Sequence, residues 1–209
     1  MDPALWFTFA AASMVLLLIP GPTVILVASY AMAQGRRVAL ATALGVAAGD
    51  FVAMSASLLG LGALVLASAT LFTVLKWIGA AYLVWLGIGL LRAPVTGGLE
   101  ARLPAREVTA RGVAWHAFAV TALNPKSIAF FIAFVPQFID PDRALAPQFA
   151  VLVATFVGLA ALNAVAYALL ADALRVRLRR PAVARGITRA GGVTLIGMGL
   201  LTALSRRAA

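Results

Sequence analysis

The sequence predicts an all-α integral membrane protein: six transmembrane helices forming a 3+3 inverted-topology repeat, with helices one and four broken. Three observations lead there. Of 209 residues, 63% are hydrophobic and 11% charged, with a mean hydropathy of +1.01. Soluble domains run nearer about half apolar and about a quarter charged, and the apolar runs here lack the alternation of barrel strands. Two of the runs are interrupted by proline: Pro20-Gly21-Pro22 in the first and Asn124-Pro125 in a later one. Finally, spaced residues recur in the same order in the two halves.

A span needs about 20 apolar residues, which fits six segments. The first, residues 4–33, is over-long because it carries a break, and its flank holds Asp2 and no basic residue, so it lacks the positive start of a signal peptide. It is read as a retained span. Residues 38–91 are too long for one helix and divide near Ala67, Ser68, Ala69 and Thr70. A linker at 93–111 carries Pro94, Gly97, Gly98 and Pro104. The fourth span is 112–139, the fifth 145–171, and a basic loop from Arg175 to Arg185 leads to the sixth at 186–204. The chain is thus expected to be one domain made of a first three-helix repeat (1–92), a cytoplasmic linker (93–111) and a second three-helix repeat (112–209).

The net charge of +10 does not point to nucleic acid, because the arginines cluster in short loops between spans, where they set topology. With the N-terminus outside, twelve Lys and Arg fall on the cytoplasmic side and four on the outer side, so both termini are expected on the outer (periplasmic) face. There is no cysteine, which excludes disulfides and thiolate metal sites.

The repetition is specific in its order. Pro22 and Gln34 are twelve apart, as are Pro125 and Gln137. Thr42, Gly45 and Asp50 match the spacing of Thr155, Gly158 and Asn163, and the run 86–91 (LGIGLL) matches 196–201 (IGMGLL). Three spans per half reverse the second half in the membrane, an architecture of many secondary transporters.

A break inside a span is tolerated only where the freed backbone groups face protein or a wet cavity. The half-helix starting near Gly21, Pro22 and Thr23 offers free N–H groups and a positive dipole end suited to a carboxylate, and the one after Asn124 and Pro125 offers the same. Asp50 and Lys126 are charges at mid-span, each costing at least about 2.5–3.5 kcal/mol to place there, so they should pair or line water. In the functional reading Lys126 binds a carboxylate and Asp50 binds an amine or carries a coupling proton; in the structural reading the two form a salt bridge. Asn163, which occupies the position of Asp50 in the second half, either bonds cargo or ties helices together. Thr23, Asn124 and Ser127 are positioned to cap the half-helices. His116 reads as an interface residue, Trp77, Trp85 and Trp115 as interface or packing residues, and Gly45, Gly49, Gly87 and Gly89 as close-packing positions. Asp172 reads as an exposed partner of Arg175.

Taken together, Pro20-Gly21-Pro22, Gln34-Gly35-Arg36-Arg37, Gly45 and Gly49-Asp50 resemble the first-half signature of the LysE/RhtB amino-acid exporters. Leu123-Asn124-Pro125-Lys126, Phe130-Phe131 and Pro136-Gln137-Phe138 resemble the second. The resemblance covers nearly the whole chain. It implies a multi-pass inner-membrane exporter of amino acids or small derivatives (basic, homoserine, threonine or branched-chain) driven by proton antiport, with Asp50, Asn124 and Lys126 in transport motifs. No cofactor or metal is implied, and the partners are the bilayer, the cargo and protons, with a homodimer compatible with so small a bundle. Two transporting alternatives are a six-helix channel for small polar solutes and a divalent-metal exporter. The channel would place its half-helices between spans, and the metal exporter would need donors beyond Asp50. An intramembrane enzyme would need a catalytic set that this core lacks, and an inert scaffold would have no use for mid-span charges.

Overall fold

The computed structural model describes residues 1–19, 21–34, 36–67, 69–92, 109–140, 142–178 and 181–204. Among these there are eight α-helices and no strand: α1 Pro3–Leu18, α2 Pro22–Gln34, α3 Arg36–Ala67, α4 Ala69–Arg92, α5 Ala110–Ala122, α6 Pro125–Ala133, α7 Leu145–Leu178 and α8 Pro181–Leu204. A short 3-10 helix, Val135–Phe138, follows α6.

Three segments are long and apolar enough to cross a membrane alone: Leu40–Gly60 in α3, Thr73–Arg92 in α4 and Leu145–Leu170 in α7. The α1–α2 pair, bent by 58° at its break, makes a fourth where the two helices are counted as one broken span. The chain is therefore an all-α, multi-pass membrane protein. The expected fourth span is divided between α5 and α6, of 13 and 9 residues, each too short to cross about 30 Å of hydrocarbon alone. In α8 the apolar stretch is Thr188–Leu204.

The expected boundaries hold at 67–69 and at 145 and shift elsewhere. The basic loop expected from Arg175 to Arg185 is instead largely helical, with α7 running to Leu178 and α8 starting at Pro181. Arginine is a good helix former, and proline at the first helical position starts a helix readily. Charge therefore marks where the apolar stretches give out there but not the helix ends. The linker at 93–108 and the side chains of Gln34, Asp172 and Arg175 lie outside the described residues.

Small residues determine which helices touch. A Cβ on Gly45 would collide with the Ala114 carbonyl of α5, and one on Gly49 would lie 2.8 Å from the Phe118 carbonyl. The backbones of α3 and α5 are therefore in direct contact, as close small-residue crossings allow. The α4–α8 pair is built the same way: a Cβ on Gly87 would lie 2.6 Å from the Gly192 oxygen, and one on Gly199 2.7 Å from the Ala80 oxygen. Gly89, by contrast, faces open space.

Between these pairs, α6 packs against α3 and α4, and α2 packs against α3, α5 and α7. Phe9, Phe130, Phe131 and Phe156 are wholly buried there, with Phe131 and Phe156 edge to face at 4.8 Å. On the outside, Trp77, Trp85 and Trp115 are each more than half exposed, as rings facing lipid would be. The two breaks lie at the centre of this arrangement.

Candidate functional site: the cleft between two helix breaks

The last carbonyls of α1 have no partners within their own helix, and in hydrocarbon each would cost several kcal/mol if left alone. All four find donors. The Leu16 oxygen accepts from Ile19 N at 3.2 Å and from Lys126 Nζ at 3.0 Å, and the Ile19 oxygen accepts from Lys126 Nζ at 2.9 Å. Asn163 Nδ2 donates to the Leu17 oxygen at 3.2 Å, and Tyr167 Oη to the Leu18 oxygen at 3.4 Å. The lysine reaches the break across Gly21, where a Cβ would sit 3.3 Å from its nitrogen.

The second break is closed locally. Leu123 N returns to the Ala119 oxygen at 3.1 Å and Asn124 N to the Thr121 oxygen at 3.0 Å. Asn124 caps α6, accepting from Lys126 N at 3.1 Å, and Pro125 occupies the first helical position, where no donor is needed. One side chain joins the two breaks. Thr23 Oγ1 accepts from Asn124 Nδ2 at 3.3 Å and shares a hydrogen bond with Thr121 Oγ1 at 3.2 Å.

A cleft opens between the breaks. Gly21, Thr23, Asp50, Asn124, Lys126 and Asn163, all singled out from the sequence, line it. Pro22 and Pro125 start the flanking helices without lining the cleft. Of the residues positioned to cap the half-helices, only Asn124 caps a described helix; Thr23 bonds across the breaks instead, and Ser127 faces the cleft.

Asp50 is 2% exposed, and its Oδ1 has no hydrogen-bond partner. Among the described residues no salt bridge joins Asp50 to Lys126, which corrects the structural reading of that pair. The reason is visible at the break: the ammonium is held by the α1 carbonyls, the negative end of a helix. The cleft therefore holds an engaged amino group and a carboxyl group with an unsatisfied oxygen. A buried polar atom left without a partner is costly, so it marks a position that a donor from elsewhere can fill.

Two sets of lining residues went unnoticed in the sequence. Tyr167 lies four residues after Asn163, on the same helix face, which is the signal that could have found it. The apolar wall of Leu16, Leu17, Val24, Val27, Val46, Ala160 and Ala164 has no distinguishing mark in an Ala-, Leu- and Val-rich chain. Outside the cleft, His116 Nδ1 lies 2.9 Å from the hydroxyl of buried Tyr30, tying α5 to α2.

The profile of the LysE type translocator family matches residues 14–206. The chain belongs to that family. The translocator is 36% identical over 208 residues to an uncharacterized membrane protein of Vibrio cholerae, covering 99% of this chain and all of that one. It is 32% identical over 203 residues to the homoserine/homoserine lactone efflux protein of Salmonella typhimurium, covering 97% of this chain and 98% of that one. It is 31% identical over 135 residues to the leucine efflux protein of Klebsiella pneumoniae, covering 65% of this chain and 63% of that one. No solved structure matches. The translocator is a membrane transporter and not an enzyme, and relatives across its length carry amino-acid efflux names.

Proposed function

We propose that this translocator exports amino acids or small amino-acid derivatives across the inner membrane by proton antiport, through the cleft between its two breaks. The observation that carries this reading is the convergence on one cleft of both breaks, Lys126 and the unpartnered oxygen of Asp50. A cargo ammonium meets Asp50. Its carboxylate is received at the N-terminal ends of α2 and α6, with Thr23, Asn124 and Ser127 alongside and Lys126 exchanging carbonyl contacts for carboxylate contacts. Asn163 bonds the cargo or holds the break open beside it. Gly21, Pro22 and Pro125 shape the two breaks.

Proton and cargo ammonium compete for Asp50, so a site loaded with one is free of the other. Alternating occupancy of that kind is what antiport requires. A protonated Asp50 is also cheaper to move through an apolar layer than an ionised one.

The reading includes a 3+3 inverted repeat, in which α1–α2, α3 and α4 correspond to α5–α6, α7 and α8. The pairing of helices supports it: α2 packs on α7 as α6 packs on α3, and α1 packs on α7 as α5 packs on α3. The halves are 1–92 and 110–209, joined by a cytoplasmic linker at 93–109 because α5 already begins at Ala110, with both termini periplasmic as the charge bias requires.

Efflux from proteoliposomes preloaded with a panel of amino acids, under an imposed pH gradient, tests this reading. Amino-acid efflux should accelerate when protons are driven the opposite way. Flux that ignores the gradient would mean a channel. Asp50→Asn should abolish the response to the gradient while cargo exchange stays measurable; unchanged coupling in that variant would remove Asp50 from the proton path.

A further inference from the structure

Resting on the amino-acid reading above, the geometry points to a side-chain compartment in the cleft, built by Val24, Val27, Val46, Ala160 and Ala164. It selects α-amino acids with short uncharged side chains and excludes basic and acidic ones. Charge supplies the first step of the argument. Asp50 and Lys126 are the only ionisable side chains among the described residues lining the cleft apart from the phenol of Tyr167, and both are needed at the ammonium and carboxylate of the cargo. No further charge remains there to meet a third charged group on the cargo side chain.

Placement supplies the second. Val27 lies four residues after Thr23 on α2, and Val46 lies four before Asp50 on α3. Each is one helical turn from the polar residue on its own helix. Val27 is displaced toward the end of α2 and Val46 toward the start of α3, two helices packed on each other, so these two valines share one end of the cleft. On α7, Ala160 and Ala164 are again one turn apart, flanking Asn163, and contribute only a methyl each. All five are buried, none more than 7% exposed. A cargo held by its ammonium and carboxylate thus has its side chain against an aliphatic surface, with Leu16 and Leu17 of α1 completing the apolar lining. Small residues on that surface leave room for a few methylenes, and each methylene gained or lost there changes discrimination about 10- to 200-fold.

Counterflow in proteoliposomes containing the intact protein tests this, with alanine, valine, leucine, lysine and glutamate as competing probes. The expected wild-type result is a preference for the uncharged amino acids over lysine and glutamate of about 100-fold, the cost of an unmatched charge at membrane depth. Ala164→Leu should fill the compartment and lower leucine relative to alanine about 10-fold or more. Lysine or glutamate competing as well as leucine in the wild type would overturn the compartment while leaving amino-acid export standing. A leucine-to-alanine ratio unchanged in Ala164→Leu would remove the α7 wall from it. If no amino acid in the panel moves, the amino-acid reading itself falls, and this inference with it. The wild-type panel decides the charge selection even if the variant does not fold.

Discussion

At the first break, the terminal carbonyls of α1 are satisfied by side chains from α6 and α7, whereas the second break closes mainly through its own backbone and Asn124. Both interruptions are written with proline, and both face the same cleft. Their dependence on the rest of the molecule is opposite. Lys126, Asn163 and Tyr167 are separated from α1 by more than a hundred residues, so the end of α1 keeps its donors only while the bundle holds one arrangement. A local cap travels with its helix in any arrangement. The first break is thus the one that a ligand able to compete for Lys126 can reorganise, and the second is the fixed reference against which it moves.

Substitutions can break or sharpen that contrast. The largest effect is expected from Lys126→Ala, which strips the lysine donor from the Leu16 and Ile19 carbonyls. The Leu16 oxygen keeps Ile19 N, so the Ile19 oxygen is the one left alone, and at about 1–3 kcal/mol for a buried acceptor without a donor thermal unfolding in detergent should reveal a loss of that size. Asn124→Ala removes an N-cap and should cost about 1 kcal/mol by the same measurement. If the asparagine substitution proved as damaging as the lysine one, the second break would be no more self-contained than the first. The smallest effect belongs to Tyr167→Phe, which deletes a single long hydrogen bond to the Leu18 oxygen; about 0.6 kcal/mol is typical of such bonds within a bundle. A loss from Tyr167→Phe exceeding that from Asn124→Ala would mean the phenol does more at the break than hold one carbonyl.

The breaks and the polar lining were legible in the sequence for a physical reason. Proline cannot donate within a helix, and Asp50, Lys126 and Asn163 stand out in runs that lipid would otherwise keep apolar. The direction in which Lys126 is spent was not legible. Both candidate partners, the carboxylate of Asp50 and the carbonyls of α1, are compatible with its position, and only the packing of α6 against the rest of the bundle decides between them. Val27, Val46, Ala160 and Ala164 escaped for the opposite reason, since an apolar residue lining a cleft looks the same in sequence as one lining the core. Arg175 to Arg185 misled because an arginine beside a membrane is as comfortable on a helix as in a loop.

The contact of α3 with α5 through Gly45 and Gly49 carries a mechanical consequence. With no side-chain thickness between the two backbones at these crossings, there is no compressible layer to take up rotation or sliding. The pair should behave as a single beam that carries Asp50 and, through the end of α5, the fixed break. Any rocking that opens the cleft first to one side and then to the other then falls to the elements hung on side-chain bonds, α1 above all. A cross-link between α3 and α5 would leave such a transporter running, whereas one pinning α1 to α7 would stall it.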